Sequence, residues 1–132
     1  MRNTIQRSIV LSAVRALKTH PTAEEIYREI NAAHPNISRG TVYRNLNVLA
    51  EQGTILRVLI PDAADRFDFN TVGHYHFRCR ECDRVTDVDY PYQADINSEI
   101  SRKYGCEVTE HTIVFSGRCA ECISKDRIVM IE

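Results

Sequence analysis

Two Cys-x-x-Cys pairs constrain the fold of this 132-residue chain more than any other feature of the sequence. The pairs are Cys79/Cys82 and Cys119/Cys122, and residues 83–118 lie between them. Each pair places two thiols on one turn, and two such turns complete a tetrahedral shell of four sulfurs that suits Zn²⁺. Because the connecting segment is longer than in a typical zinc ribbon, we expect a helix and a strand between the two turns.

A thiol redox switch is the alternative interpretation of the same cysteines, since their oxidation would expel the metal. Disulfides are disfavoured in a reducing cytosol, which favours a structural Zn²⁺ ion, one per subunit. The fifth cysteine, Cys106, stands apart from both pairs. We expect it to be a small buried hydrophobic residue rather than a metal ligand.

Composition places the chain among ordinary soluble globular proteins, with 43% hydrophobic and 27% charged residues. No apolar run approaches the roughly 18–20 residues that a membrane-spanning helix needs. The first residues also lack the apolar segment of a signal peptide. We therefore expect a cytoplasmic protein without a membrane partner.

The net charge of −1 hides an asymmetry between the two halves of the chain. Residues 1–66 carry nine Lys/Arg and six Asp/Glu, whereas residues 67–132 carry eight Lys/Arg and twelve Asp/Glu. A basic half beside an acidic half suits a polyanion-binding module joined to a second module. A solvated surface without a ligand would explain so small a difference equally well.

The first part of the chain has the pattern of a winged helix-turn-helix. Thr22, followed three residues later by Glu25, forms a capping box at the start of the second predicted helix, and Ser38 caps the third. An apolar strand, a turn and an alternating strand follow, and these predict a β-hairpin. A three-helix core with no ligand is the alternative. The predicted elements are helices over 4–18, 23–33 and 39–52 and strands over 55–60 and 66–69.

The second part of the chain predicts a small sheet with one helix. Residues 70–73 have the composition of a linker, and Gly105 is placed to end the helix. So small a sheet buries little apolar surface by itself, so a metal and a partner subunit would both stabilise it. The predicted elements are strands over 74–79, 85–90 and 108–116 and a helix around 96–104, followed by a short tail.

A second set of metal-binding side chains is spread over both halves. His74 and His76 lie two apart on a predicted strand, so both imidazoles face one side and reach one ion. Asp68, Asp87 and His20 are near the ends of other elements, where each alone is more often a surface or capping residue. Together they form a nitrogen and oxygen set that accepts Fe²⁺, Mn²⁺ or Zn²⁺ rather than Cu⁺. An ion held by both halves would fix the angle between them and so control DNA affinity.

The chain resembles the Fur family of metalloregulators over nearly its whole length. The resemblance implies an α+β fold: an N-terminal winged helix-turn-helix DNA-binding domain (1–69), a linker (70–73), and a small α/β dimerisation domain (74–132) with the four-cysteine zinc site. It also implies a homodimer with a winged helix at each end. The matching segments are 19–27, 38–46, 66–69, 74–82 and 117–122.

Within this family, the ligand set is most similar to that of the peroxide-sensing repressors. Their regulatory ion is held by three His and two Asp, which map to His20, Asp68, His74, His76 and Asp87. Iron-uptake regulators tend to have Glu where Asp87 stands. The resemblance implies one Fe²⁺ or Mn²⁺ per subunit, with Fe²⁺ and H₂O₂ oxidising His20 or His74 and so releasing the ion and the DNA. The alternative within the family is an iron, manganese or zinc uptake regulator that does not sense peroxide.

The third helix is the predicted DNA reader, because the N-terminal part of the second helix of a helix-turn-helix enters the major groove. Arg39 and Arg44 can reach a guanine edge, or only position the protein on phosphates. Thr41 and Tyr43 offer hydroxyl and apolar surface beside them, and Ser38 begins the same segment. A twofold dimer would require a pseudo-palindromic operator.

A hydrolytic metal centre is the competing hypothesis from another functional class. Such an enzyme needs an open ligand position and a general base in a cleft. The candidate ligands come from both halves of the chain, and no further acid or base residue clusters with them in the sequence. We therefore expect that the chain is not an enzyme.

Overall fold

The computed structural model describes residues 2–72 and 74–131, so Gly73, at the end of the predicted linker, lies outside the described residues. The chain divides into two compact units, residues 1–72 and 73–132. No helix in the described part is long and apolar enough to cross a membrane. Unit 1 contains α1 (Arg2–Ala16), α2 (Ala23–Ala33), α3 (Arg39–Glu51), β1 (Leu56–Val58) and β2 (Arg66–Asp68). Unit 2 contains β3 (Tyr75–Cys79), β4 (Val85–Val88), α4 (Asp95–Tyr104), β5 (Val114–Gly117) and α5 (Ala120–Ile131).

Side-chain caps define where α2 and α3 begin, as the sequence predicted. The Thr22 hydroxyl accepts a hydrogen bond from the backbone N–H of Glu25 at 3.2 Å. The Ser38 hydroxyl accepts one from the backbone N–H of Thr41 at 3.1 Å. Each cap satisfies a donor that the first helical turn leaves unpaired, which stabilises a helix by about 1 kcal/mol.

The core of unit 1 is formed by one apolar stripe from each helix. Val10 of α1, Ile26 of α2 and Val42 of α3 are fully buried, and Leu46 packs with them. Phe67 of β2 closes the cluster from the hairpin side. The structure thus confirms the three helices and the β-hairpin that the sequence predicted for this part of the chain.

The β-hairpin is attached to the start of α2 as well as to itself. Strands β1 and β2 pair antiparallel, and Arg66 of β2 also forms a bridge with Thr22. The backbone N–H of Phe67 donates to the carbonyl oxygen of Pro21 at 2.9 Å. The hairpin therefore fixes the segment between α1 and α2, which contains His20.

Unit 2 is built on a three-stranded sheet with strand order β4-β3-β5. β3 pairs antiparallel with β4 and parallel with β5. α4 ends at Gly105, whose φ of 65° is the left-handed conformation that favours glycine at a helix C-terminus. The fold class predicted from the sequence, α+β with two small modules, is confirmed.

Three predictions for unit 2 were wrong. The last strand begins at Val114 rather than at residue 108, because the backbone N–H of Val108 bonds to the Ser101 hydroxyl at 2.9 Å instead of to a strand. The predicted short tail after the second Cys-x-x-Cys pair is part of helix α5, which begins at Ala120. Cys106 is exposed rather than buried.

The described residues of unit 2 form only a small apolar core within a single chain. The buried apolar side chains are Tyr75, Val85 and the two cysteines Cys79 and Cys122. Helix α4 contributes no buried residue. So little apolar burial leaves the unit dependent on some other source of stability, such as a bound metal or a second chain.

Candidate metal centres and nucleic-acid interface

The four cysteines of the two Cys-x-x-Cys pairs meet in unit 2. The Sγ atoms of Cys79 and Cys122 lie 3.7 Å apart, and those of Cys82 and Cys119 lie 3.8 Å apart. All four Sγ atoms lie within 4.8 Å of one another, and none is in a disulfide. The first pair begins at Cys79, the last residue of β3, and the second pair follows β5, so the parallel pairing of these strands brings the two turns together.

The spacing of the sulfurs fits a tetrahedral zinc ion. A Zn–S bond is about 2.3 Å long, so the edges of a regular tetrahedron of sulfurs around zinc are about 3.8 Å. The two measured sulfur separations, 3.7 and 3.8 Å, match this edge. These thiols therefore have the chemistry and the geometry of a four-coordinate structural site.

The thiols of the cluster differ in their pKa values. The backbone N–H groups of Cys82 and Cys119 both point at the Cys79 sulfur, at 3.4 Å, and they lower the pKa of that thiol to about 6. The pKa of Cys122 is raised well above its usual range, because the neighbouring Cys119 thiol and burial disfavour its thiolate. Ionisation of Cys79 is therefore favoured and that of Cys122 is opposed, and a bound dication would favour the thiolate form of its ligands.

Ion pairs on the outer side of this cluster connect the two cysteine turns. Arg118 lies 3.1 Å from the Glu81 carboxylate and also pairs with Asp126 of α5. Arg84 lies 3.0 Å from Glu121. These side chains are largely exposed, so water and salt screen each pair, and the pairs contribute little to the stability of the unit.

In unit 1, His20 and Asp68 form a close pair. The Nε2 atom of His20 lies 3.1 Å from Oδ2 of Asp68, and both side chains are mostly buried, with exposures of 9% and 12%. The other carboxylate oxygen of Asp68 accepts a hydrogen bond from the backbone N–H of Asn70 at 2.9 Å. One nitrogen and one oxygen ligand are therefore presented together from this unit.

His20 is positioned by Arg66, a residue that sequence reasoning missed. The φ of His20, 55°, is a left-handed conformation that non-glycine residues rarely adopt. The Arg66 guanidinium, which is 10% exposed, donates to the carbonyl oxygen of His20 at 3.2 Å and lies 3.8 Å from Glu25. One feature of the sequence could have indicated this role of Arg66: it is an arginine on the inward side of a short strand, two residues before Asp68.

In unit 2, His74 and His76 converge on Asp87. Their Nε2 atoms lie 3.0 and 3.5 Å from Oδ1 of Asp87, and the two imidazole rings are 4.4 Å apart. His76 and Asp87 are partners in the β3–β4 register, which explains how the sheet brings them together. This unit thus presents two nitrogen ligands and one carboxylate.

Tyr75, which lies between these two histidines in sequence, anchors the same strand. It is almost fully buried, and its hydroxyl lies 2.8 Å from Nε2 of His111 and accepts from the backbone N–H of Gln93 at 2.9 Å. His111 in turn stacks on the ring of Tyr92, with centroids 4.5 Å apart. These contacts hold the backbone that carries His74 and His76.

The predicted DNA-reading residues lie along the start of α3. Arg39, Tyr43 and Arg44 are exposed, as expected for residues that contact a ligand. Ser38 and Thr41 have local roles, since Ser38 caps the helix and the Thr41 hydroxyl accepts from Arg44 at 3.3 Å. The side chains thus form one polar, partly basic face.

Glu24 of α2 also belongs to this face, although no pattern in the sequence pointed to it. Its carboxylate accepts two hydrogen bonds from Arg39, both 2.9 Å long, and a third from the Tyr43 hydroxyl at 3.4 Å. The Arg39 guanidinium keeps the pKa of the Glu24 carboxyl below its usual value. Because the partners belong to different helices, no spacing rule within one helix reveals the contact.

The family of the chain is shown by its similarity to known proteins. The family model of the ferric uptake regulators matches residues 1–116. The chain belongs to the Fur family. As a member, it is a metal-responsive regulator, and the resemblance drawn from its motifs is confirmed.

Individual Fur proteins support this membership. The chain is 38% identical to the peroxide-responsive repressor PerR of Staphylococcus aureus over 125 residues, which cover 95% of this chain and 84% of that protein. The peroxide stress regulator of Campylobacter jejuni has the same fold, with a TM-score of 0.76 and 28% identity over 92% of this chain and 91% of that one. A zinc uptake regulator solved with zinc and DNA gives a TM-score of 0.72 and 25% identity, over 92% and 83% of the two chains.

Proposed function

We propose that the chain is a peroxide-sensing, metal-dependent transcriptional repressor that binds a palindromic operator as a homodimer. The observation that carries this proposal is the ligand set: three histidines and two aspartates, with Asp at position 87, in a chain 38% identical to a peroxide-responsive repressor. We further propose that the protein acts in the cytoplasm, where it binds its operator, and that it is not an enzyme.

The regulatory site is proposed to combine the ligands of the two units around one Fe²⁺ or Mn²⁺ ion per subunit. The pair His20/Asp68 from unit 1 and the trio His74/His76/Asp87 from unit 2 supply five nitrogen and oxygen donors, which suit these metals. An ion bound by both sets stabilises one relative orientation of the units. Metal binding is then coupled to DNA binding through that orientation.

A second chain is proposed to complete unit 2. Its described residues bury few apolar side chains, while Ile100, Tyr104 and Phe115 are exposed by 39%, 68% and 44%. Burial of such side chains in a partner subunit would supply the missing hydrophobic stabilisation. The zinc ion held by Cys79, Cys82, Cys119 and Cys122 would stabilise the same unit from within.

Replacing Arg44 by alanine is expected to weaken operator binding about tenfold, the loss typical of an arginine that contacts DNA. The probe is a duplex selected from a random library by the Mn²⁺-loaded wild-type protein, titrated at matched salt because phosphate contacts depend on salt. Arg102→Ala, which removes an exposed arginine of α4, is the control. Unchanged affinity in Arg44→Ala would mean that α3 does not read DNA.

Peroxide sensing is tested by the mass of tryptic peptides after H₂O₂ treatment of the Fe²⁺ and Mn²⁺ forms. A bound Fe²⁺ supplies the redox chemistry that activates H₂O₂ beside the ligand histidines. We expect one added oxygen atom on the peptide 19–28, with His20, or 67–78, with His74, only in the Fe²⁺ form, together with release of the selected duplex. Neither peptide contains Met or Cys, which would also be oxidised.

The peptide 29–39, which contains His34 of the loop after α2, is the internal control and is expected to stay unmodified. If the Fe²⁺ form gained no oxygen on either ligand peptide and kept its DNA, the peroxide proposal would be wrong. The chain would then be an uptake regulator that responds to iron, manganese or zinc supply.

A further inference from the structure

The carboxylate of Glu24 is placed where a repressor would be expected to avoid negative charge. It lies in the first turn of α2, yet it contacts Arg39 and Tyr43 of the proposed reader helix α3. Arg28 lies 3.6 Å from it as well. A negative charge at this place repels DNA phosphates, so it lowers affinity for any duplex whatever its sequence.

The same carboxylate holds Arg39 in one orientation. Its two oxygens accept from Nε and from one terminal nitrogen of the guanidinium, a fork-like pair with both distances at 2.9 Å. The guanidinium also lies over the ring of Tyr27, 4.6 Å from its centroid. A guanidinium fixed in this way loses less conformational freedom when it forms further hydrogen bonds.

Arg39 nevertheless keeps donors for a ligand. A guanidinium has five N–H donors, and the pair with Glu24 uses two of them. The Arg39 side chain remains 57% exposed. A base edge can therefore be read by the outer side of a guanidinium whose inner side is held by Glu24 and Tyr27.

We infer that Glu24 is a specificity-determining positioning residue, which lowers affinity for random DNA and sharpens the choice of operator by orienting Arg39 and Tyr43. This role rests on the proposed operator binding. Specificity is a difference of two affinities, and a fixed arginine combined with a repelling charge increases that difference. An unrestrained Arg39 would instead pair with any phosphate within reach.

The test compares Glu24→Gln with Glu29→Gln, which removes the same charge from an exposed position on the same helix. Both proteins, loaded with Mn²⁺, are titrated with the duplex selected by the wild type and with a scrambled duplex of equal composition. For Glu24→Gln we expect binding to the scrambled duplex to tighten about threefold. The slope of log K against the logarithm of salt concentration is expected to become steeper by about one. The ratio of the two affinities is expected to fall about tenfold, the effect of one lost base contact.

Arg39→Lys provides a second, independent variant, since lysine keeps the charge but cannot form the two-pronged pair with Glu24. It is expected to lose the same discrimination without a change in salt dependence. Zinc content and circular dichroism show whether each variant is folded. If Glu24→Gln or Arg39→Lys kept the wild-type affinity ratio, the inference would be wrong while operator binding stood. A wild-type protein that enriches no duplex would instead contradict the proposed function itself.

Discussion

Cys122→Ser is expected to lose its zinc and with it the folded structure of unit 2. Serine cannot replace the fourth thiolate of the cluster, and Cys122 is one of the few buried side chains of this unit. A structural zinc site contributes on the order of 10 kcal/mol of apparent folding free energy in small modules. That is comparable with the whole stability of a typical domain, about 5–15 kcal/mol. Unit 1 has its own apolar core and is expected to remain helical.

Metal analysis by mass spectrometry and near-ultraviolet circular dichroism measure the two effects. Cys106→Ser is the matched control, because Cys106 is exposed and lies outside the cluster. It is expected to retain one zinc per chain and the native spectrum. A Cys122→Ser protein that bound zinc stoichiometrically and unfolded at the wild-type temperature would show that the cluster is not a structural zinc site.

Asp68→Asn is expected to weaken Mn²⁺ binding at least about 100-fold and to abolish Mn²⁺-dependent binding to the selected duplex. Loss of a group in the outer shell of a metal site alone costs about 10- to 100-fold in affinity, and a direct carboxylate ligand contributes more. The Asp68 carboxylate lies beside His20 and is 12% exposed, so water does not easily replace it. Binding to the selected duplex is expected to be lost together with Mn²⁺ binding, because the equilibria of metal binding and DNA binding are linked.

Isothermal titration with Mn²⁺ and a DNA-binding assay at fixed Mn²⁺ measure the two losses. Asp62→Asn, the same change in the turn between β1 and β2, is the control and is expected to bind Mn²⁺ like the wild type. If Asp68→Asn bound Mn²⁺ with wild-type affinity, unit 1 would have no part in the regulatory site. The proposed coupling between metal and DNA would then have no physical basis.

Local rules predicted most of the fold. The caps at Thr22 and Ser38, the left-handed end of α4 at Gly105 and the buried stripe through Val42 and Leu46 all follow from neighbours within one or two helical turns. The cysteine cluster was predictable for the same reason, since two ligands of each pair share a turn. The sequence did not show how the two turns come together, and the parallel pairing of β3 with β5 explains this.

Contacts between distant segments account for what the sequence did not reveal. Residues 108–113 have the composition of a strand, but Val108 is bonded to Ser101 of α4, and β5, which pairs with β3, begins only at Val114. The support of His20 by Arg66 joins positions 46 residues apart. The Glu24–Arg39 pair joins two helices. Composition and periodicity carry no information about such pairs.

Crystals of the Mn²⁺-loaded protein, with anomalous scattering used to locate the metal, would show which residues hold the regulatory ion. We expect one Mn²⁺ per chain at the regulatory position, bonded to His20 and Asp68 from one unit and to His74, His76 and Asp87 from the other. A manganese ion bonded to the residues of only one unit would contradict the claim that the metal sets the orientation of the DNA-binding half.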